Sequence, residues 1–218
     1  MSLPLERLIV FENDAFIVMD KPAGWLSVAG RGAKPTDCLL HHMTQARGTQ
    51  FWPVHRLDQP VSGLILYAKN AAAHRLGNSW FEGRHVGKTY EAWSEGVEFP
   101  KTGATFTWSH KILRGKKRAY EHAIGKVAIT HAQFLGETNG VGRWELKPET
   151  GRSHQLRFQL SKAGFPICGD ALYGAKTPQP EGTIQLRACR LDFSKVEGDR
   201  AGLPTALEVT GIAEQSAG

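Results

Sequence analysis

The sequence has few cysteines and no long apolar run. Its three cysteines, Cys38, Cys168 and Cys189, lie far apart and form no CxxC pair. This pattern argues against a disulfide framework and a zinc site, and it favours a reducing cytoplasmic setting. Polar residues interrupt the richest early apolar stretch, residues 8–19, so we expect no membrane-spanning helix. The N-terminus shows no apolar segment followed by a cleavage site, so we expect no signal peptide.

Acidic residues are outnumbered by basic ones. The 218 residues include 27 Lys and Arg against 21 Asp and Glu, which gives a formal net charge of +6. Such an excess favours a polyanionic partner, although many basic proteins bind no nucleic acid. The hydrophobic share of 41% is ordinary for a globular protein. Composition therefore indicates a folded chain with a moderate preference for nucleic acid.

No repeat, low-complexity tract or linker interrupts the chain, so we predict one compact domain over residues 1–218. Apolar, β-rich runs predict strands at residues 8–12, 16–20, 51–57, 64–68, 88–93, 105–112, 128–135, 143–147, 184–186 and 206–209. Helical spacing predicts helices at residues 36–46, between Asn70 and Gly83, and at residues 153–163 with Gly164 following. The pattern favours an α+β fold with a mixed, mainly antiparallel sheet flanked by a few helices.

Residues 55–64, HRLDQPVSGL, combine charged side chains with a Pro- and Gly-containing bend between two apolar runs. If strand geometry continued through the bend, Arg56 and Asp58 would project from the same face. A bend between rigid strands is a common place for function. An Asp that builds a turn beside an Arg ion pair explains the spacing equally simply, and spacing alone favours that explanation.

This segment resembles the HRLDxxTSGL signature of the RluA-type pseudouridine synthases. Other stretches resemble the same family in its order: DKPAG at residues 20–24, KTY at 88–90, PETGRSHQLR at 148–157 and GDALYG at 169–174. The ordered set covers nearly the whole chain, whereas an isolated HRLD would be weak support. The chain departs from the pattern at Val61, where the family usually has Thr, so a hydroxyl and its hydrogen bond are lost.

The resemblance implies an isomerase that needs no cofactor and no metal, because moving uracil from an N1 to a C5 linkage involves neither redox chemistry nor phosphate transfer. Asp58 would be the catalytic carboxylate, either as a nucleophile at C1′ or as a base at C2′. Tyr90 would stack against the flipped uracil and relay the C5 proton. Arg157 would pair with Asp58 and keep it ionised. Without the resemblance, Tyr90 is equally a core-edge tyrosine and Arg157 a surface arginine on an amphipathic helix.

The resemblance also implies contacts with RNA. Arg56 would fill the gap that an extruded base leaves in the stack, and its alternative is a structural ion pair. Further RNA-binding candidates are His55, Arg152 and the basic run Lys116, Lys117 and Arg118. The basic run either contacts phosphates or forms a solvated turn.

The expected partner is structured RNA, either tRNA or rRNA. We expect no membrane association, no obligate protein partner and a monomer, with no separate N-terminal RNA-binding domain in front of the catalytic region. An RNA-binding protein without chemistry is a second class, and the presence of Asp58, Tyr90 and Arg157 argues against it. A carboxylate-dependent glycosidase is a third class, but the motifs supply no second catalytic acid. The nearby Cys38, His41 and His42 lack a further ligand cluster, so we expect no metal site there.

Overall fold

The computed structural model describes residues 5–30, 34–180 and 182–212. The strands are β1 Ile9–Glu12, β2 Phe16–Lys21, β3 Trp52–Pro53, β4 Ser62–Ala68, β5 Gly87–Glu95, β6 Thr105–Arg114, β7 Ala119–Glu121, β8 Lys126–Thr138, β9 Val141–Pro148, β10 Leu186–Asp192 and β11 Ala206–Glu208. The α-helices are α1 Leu39–Arg47, α2 Ala71–Glu82 and α3 Gln155–Lys162, with 3-10 turns at Leu5–Leu8, Pro35–Asp37 and Ala171–Tyr173. The predicted α+β class with a mainly antiparallel sheet is confirmed. Within the described ranges, no helix is long and apolar enough to cross a membrane.

The chain divides into two compact units. The first comprises Met1–Gly87 and Ala188–Val209, and the second comprises Lys88–Arg187 and Thr210–Gly218. That both units form a single catalytic domain stays a prediction.

The first unit is built around the antiparallel pair β2 and β4. Its strands follow the order β1-β2-β4-β10, with β3 beside β4 and β11 beside β10. Phe16 pairs with Ala68 at one end of the β2–β4 ladder and Lys21 with Gly63 at the other. The helix predicted after Asn70 is confirmed as α2, and the Asn70 Oδ1 accepts the Ala73 N–H at 2.9 Å. Trp80 of α2 packs into the core of this unit.

The second unit contains the strands β5-β9-β8-β6-β7 in that order. Helix α3 packs on this sheet through Phe158, which lies against Ile112 and Ala128. Strands β6, β8 and β9 extend beyond their predicted bounds, since the cross-strand ladder continues where the apolar pattern ends. The predicted stop of α3 at Gly164 is confirmed, because Gly164 has a φ of 92° and suits the left-handed position after a helix. The short strand β7 was not predicted.

The predicted strand at residues 51–57 is wrong beyond Pro53. Two side chains bind the backbone groups that a longer ladder would have paired. The Leu66 N–H donates to the His55 ring Nε2 at 3.0 Å, and the Leu57 N–H donates to the Ser27 hydroxyl at 3.1 Å. Strand alternation therefore does not reach Arg56 and Asp58, and the same-face expectation for these two residues loses its basis.

Two further elements differ from the prediction by more than two residues at one end, whereas the starts of β4 and α3 and the end of β5 differ by two. The helix expected at residues 36–46 begins at Leu39, because Leu26 binds the chain just before it: the Leu26 N–H donates to the Asp37 carbonyl at 2.8 Å, and the Leu39 N–H donates to the Leu26 carbonyl at 2.9 Å. The strand expected at residues 184–186 instead runs from Leu186 to Asp192 as β10. Arg187 is buried within it, and this buried charge hid the strand from the apolar pattern.

Candidate active site

Asp58 lies in a tight bend between β3 and β4, and the chain after β2 holds this bend in place. The Val61 N–H closes the bend on the Asp58 carbonyl at 3.1 Å. The Gly24 N–H donates to the Gln59 carbonyl at 2.9 Å, and the Gln59 Nε2 donates to the Gly24 carbonyl at 3.1 Å. The Ser27 hydroxyl donates to the Leu57 carbonyl at 2.9 Å. The DKPAG and HRLD segments are therefore one structural unit, and Asp58 is half-buried at its surface.

A buried lysine lies in the same unit as the Asp58 bend. Lys21, the last residue of β2, has a relative exposure of 0%. Its Nζ donates to the carbonyls of Trp25 at 2.7 Å, Pro22 at 2.9 Å and Gln59 at 3.2 Å. Three acceptors match the three N–H groups of an ammonium. Burial lowers the pKa of Lys21 to about 7, while the negative charges of Asp58 and Asp20 oppose that shift.

His55 has a structural contact in the bend. Its ring stacks on Phe81 with centroids 4.6 Å apart, and its Nε2 accepts the Leu66 N–H. A neutral His55 therefore carries its proton on Nδ1. Arg56, the next residue, is exposed to solvent. The RNA-binding roles of His55 and Arg56 stay predictions.

Two positions after Asp58 show how the bend joins β4. Val61 is 3% exposed, so the residue that replaces the family's usual Thr is a buried apolar side chain directly before β4. Gly63 has a φ of 108°, and a Cβ there would lie 2.2 Å from the Ala188 carbonyl oxygen on the neighbouring strand β10. Only glycine fits this close approach, which accounts for the glycine in the SGL part of the motif.

Tyr90 and Arg157 belong to the second unit. Tyr90 on β5 pairs with Leu146 on β9, and Leu146 in turn pairs with Ala132 on β8. Residues that pair directly share one face of a sheet, so Tyr90, Leu146 and Ala132 lie on one face. Ala132 is four residues after Ala128 on β8, so it shares the face of Ala128, against which Phe158 of α3 packs. Tyr90 therefore lies on the face that carries α3. The Tyr90 side chain is half-buried.

Arg157 of α3 has a buried partner that the sequence analysis did not name. Its Nε and Nη2 donate to the two carboxylate oxygens of Asp170, each at 2.7 Å. Arg157 is 5% exposed and Asp170 is 2% exposed, so the alternative of a surface arginine is wrong. The Arg157 Cζ also lies 5.2 Å from the centroid of the Tyr173 ring, a cation–π distance.

The TGRSHQ segment fixes the start of α3 on the sheet. The Gln155 amide donates to the Ile129 carbonyl at 3.0 Å and to the Thr130 hydroxyl at 2.8 Å. His154 precedes the helix with a φ of 55°, a left-handed conformation that is uncommon outside glycine. Arg152 is half-buried, and its Nε donates to the Val127 carbonyl at 3.0 Å. Its predicted contact with RNA stays a prediction.

The basic run forms the exposed turn of the β6–β7 hairpin. The Gly115 N–H donates to the Arg118 carbonyl at 3.0 Å and closes the turn. Lys116, Lys117 and Arg118 are all exposed. The basic run therefore forms a turn, as both the phosphate-binding and the solvated-turn interpretations require. Its contact with phosphate stays a prediction.

Comparison with known proteins decides the family. Residues 15–162 match the family described as RNA pseudouridylate synthase. The chain belongs to this family. A protein of Zymomonas mobilis named as an uncharacterized RNA pseudouridine synthase is 33% identical over 203 residues, which cover 90% of this chain and 91% of that relative. The resemblance to pseudouridine synthases, a family of RNA uridine isomerases, is confirmed.

Other relatives and solved structures agree with this assignment. The ribosomal large subunit pseudouridine synthase D of Pseudomonas aeruginosa is 33% identical over 81% of this chain, which spans 56% of that relative. The tRNA pseudouridine synthase C of Vibrio vulnificus is 30% identical over 76% of this chain and 73% of its own length. The structure of human RNA pseudouridylate synthase domain containing 4 matches with a TM-score of 0.71 at 23% identity, over 94% of this chain and 89% of that one, and shows a shared fold.

The pseudouridine synthase motifs contain residues whose contacts sequence reasoning missed. In the sequence, Lys21 stands out only as part of DKPAG, and Asp170 and Tyr173 only as part of GDALYG. The available signals are a lysine at the end of a buried apolar strand, and an Asp and a Tyr next to turn-forming glycines. None of the motifs reveals which partner each side chain binds. Among the described residues, no group of three or more His, Cys, Asp or Glu side chains is arranged to hold a metal ion.

Proposed function

We propose that this protein isomerises uridine to pseudouridine in structured RNA, with Asp58 as its catalytic carboxylate. Family membership supports the reaction class. The observation that carries the assignment of Asp58 is its place in a bend held by the buried Lys21 and by the Gly24–Gln59 hydrogen bonds. A carboxylate on such a rigid support suits chemistry that depends on close positioning.

The proposed reaction breaks the N1–C1′ bond, turns the base and joins C5 to C1′. Asp58 either attacks C1′ or removes the proton at C2′ and later returns it. The C5 hydrogen is released to solvent as a proton and N1 takes up a proton from solvent, so product and substrate are isomers. We propose that Tyr90 stacks on the uracil and relays the C5 proton. We propose that Arg157 favours the ionised form of Asp58. The reaction needs no electron transfer, so the proposal includes no cofactor.

We propose that the substrate is a stem-loop of tRNA or rRNA. The two kinds of RNA appear in the names of the Vibrio vulnificus and Pseudomonas aeruginosa relatives. The net charge of +6 and the exposed hairpin turn at residues 116–118 support an RNA partner. We further propose that Arg56, which is exposed beside Asp58, fills the gap in the stack when the uridine flips out.

The test uses RNA from a strain that lacks this gene. Purified protein is incubated with that RNA after labelling with uridine that carries tritium at C5, and tritium release is followed while pseudouridine positions are mapped. The proposal predicts stoichiometric tritium release and pseudouridine at one or a few positions. Normal RNA binding without tritium release from any RNA would instead favour an RNA-binding protein without chemistry.

A further inference from the structure

Tyr173 lies between two parts of the second unit that the proposed function uses separately: the basic hairpin turn at residues 116–118 and Arg157 on α3. It is the last residue of the 3-10 turn Ala171–Tyr173 and is 6% exposed. Its side chain reaches the hairpin through the hydroxyl and α3 through the ring.

The hydroxyl of Tyr173 binds the first residue of β7. The Ala119 N–H donates to the hydroxyl oxygen at 2.8 Å, and the hydroxyl donates to the Ala119 carbonyl at 3.2 Å. Strand β7 is the last strand in the order of this unit. The Ala119 N–H and carbonyl therefore bind a side chain, whereas in an inner strand they would bind the backbone of a neighbouring strand. Ala119 directly follows Arg118, so this contact fixes one end of the basic turn.

The remainder of Tyr173 binds α3 and its preceding residue. The ring lies against the Arg157 guanidinium, the His154 Nδ1 is 3.0 Å from the hydroxyl, and the Ser161 hydroxyl donates to the Tyr173 carbonyl at 2.6 Å. Asp170, three residues earlier in the same turn, holds Arg157 by its two short hydrogen bonds. One short segment therefore contacts the beginning, middle and end of α3.

The hydrogen bonds of the hydroxyl are mutually consistent. A phenol has one hydrogen to donate and two lone pairs to accept with. The hydrogen goes to the Ala119 carbonyl and one lone pair accepts the Ala119 N–H. The second lone pair is then left for the His154 Nδ1, which this arrangement assigns as the protonated ring nitrogen. Burial raises the pKa of Tyr173, so the hydroxyl keeps its hydrogen at neutral pH. Removing the oxygen would leave both backbone groups of Ala119 without this partner.

We infer that Tyr173 is a positioning residue that holds the basic hairpin in register with Arg157, so that RNA phosphates gripped by the hairpin are placed relative to α3. The inference rests on the proposed function, since it assumes that the hairpin binds RNA and that Arg157 serves the reaction. It assigns to the tyrosine of GDALYG a role in RNA placement.

The test is Tyr173→Phe, which removes the hydroxyl and keeps the ring beside Arg157. The dissociation constant for RNA should rise at least about fivefold, because the hydroxyl's hydrogen bonds to Ala119 and His154 are lost and a single hydrogen bond is worth about that factor. The single-turnover rate at saturating RNA should fall as well, because RNA bound by a displaced hairpin is misplaced relative to Arg157. Tyr120→Phe is the matched control, because Tyr120 lies in the same hairpin and its side chain is exposed. This variant should bind RNA as tightly as the wild type.

A double-mutant cycle separates positioning from a general structural effect. Tyr173→Phe is also made in a protein whose Lys116, Lys117 and Arg118 are all replaced by Gln. If Tyr173 acts through the hairpin charges, its effect on RNA affinity disappears in that background. The same fivefold loss in both backgrounds would overturn the inference.

Amide hydrogen exchange supplies a second readout that needs no activity. In Tyr173→Phe, residues 114–121 should exchange faster while α3 keeps its protection. Unchanged exchange in the hairpin would contradict the inference. A wild-type protein that binds RNA but makes no pseudouridine would defeat the proposed function, whereas an active wild type with an additive cycle would defeat only the role of Tyr173.

Discussion

Arg157 and Asp170 form a two-point ion pair in which both hydrogen bonds are 2.7 Å long and both side chains are buried. The family resemblance implies that Arg157 also serves Asp58. Two of the guanidinium nitrogens bind Asp170, so Asp170 sets the orientation of Arg157. We therefore expect a substitution of Arg157 to have two consequences, one for the proposed reaction and one for the buried Asp170 carboxylate that it leaves without its partner.

We predict that Arg157→Met lowers the single-turnover rate at neutral pH by at least about a hundredfold, or roughly 3 kcal/mol of barrier. The acid limb of its pH–rate profile should move to higher pH, because a carboxylate that loses a nearby positive charge binds its proton more tightly. Arg157→Lys should recover part of the rate, since Lys supplies charge without the planar fork. An acid limb at its wild-type position would show that Arg157 does not act on the catalytic carboxylate.

The buried Asp170 requires a control for that experiment. Removing one partner of a buried ion pair typically costs about 3–5 kcal/mol of folding free energy. The double variant Arg157→Met with Asp170→Asn removes the orphaned charge, so it should recover much of the stability of the single variant in urea unfolding. It should recover none of the rate. A parallel recovery of rate and stability would reduce the role of Arg157 to folding alone.

Lys21 predicts a specific pH dependence of stability. Its pKa is about 7 in the folded protein against 10.5 for an ordinary lysine, so between these values the unfolded chain binds one more proton. The free energy of unfolding therefore rises with pH between these two values, by up to about 1.4 kcal/mol per pH unit. Burying the charged Lys21 ammonium lowers the free energy of unfolding by its full amount below about pH 7, and this loss disappears as the pH approaches 10.5.

The measurement is the difference in unfolding free energy between wild type and Lys21→Met, taken from about pH 6 to about pH 10. The wild type should gain stability relative to the variant across this range. Lys69→Met is the control, because Lys69 is a partly exposed lysine of the same unit that pairs with Glu12 at 2.8 Å. A pH-independent difference for Lys21→Met would mean that Lys21 keeps an ordinary pKa.

The hairpin turn predicts a change in salt dependence. Replacing Lys116, Lys117 and Arg118 with Gln should lower the slope of log affinity against log salt by roughly one to two units, because fewer counterions are released on RNA binding. Lys101→Gln with Lys195→Gln is the control, since both lysines are exposed elsewhere on the chain. An equal slope for the wild type and the hairpin variant would identify the basic run as a solvated turn.

Activity should persist in excess EDTA without any added cofactor, because the proposed reaction transfers no electrons and uses only side-chain acid–base or nucleophilic chemistry. Tritium release is compared before and after dialysis against chelator. Loss of activity on chelation that a single metal restores would contradict this mechanism.

The sequence predicted those helices and strands whose start or end depends on residues within or next to the element itself. Asn70 and the apolar spacing after it predicted α2, and Gly164 predicted the end of α3, because capping and periodicity act over a few residues. The irregular course of the chain between Pro53 and Asp58 could not be predicted this way. Its shape depends on the Ser27–Leu57 and His55–Leu66 contacts, in which a distant or out-of-register side chain replaces a ladder bond.

The sequence predicted the residues of the candidate site but not their contacts. The motifs named Asp58, Tyr90 and Arg157, because those letters match a family pattern. They did not show that Lys21 donates to the carbonyl of Gln59 or that Asp170 holds Arg157, since each contact joins residues of different motifs or elements, 38 and 13 positions apart. Pairings of this kind require coordinates.

In the proposed reaction Asp58 is the catalytic carboxylate, and the variant Asp58→Asn is the sharpest test of that role. The amide keeps the size of the side chain and much of its hydrogen bonding but can act neither as base nor as nucleophile. Tritium release from an identified substrate RNA is measured under single-turnover conditions, with the dissociation constant measured in parallel. We expect Asp58→Asn to abolish pseudouridine formation while RNA affinity stays within a few-fold of wild type. Pseudouridine formation by Asp58→Asn at a rate near that of the wild type would contradict this role for Asp58.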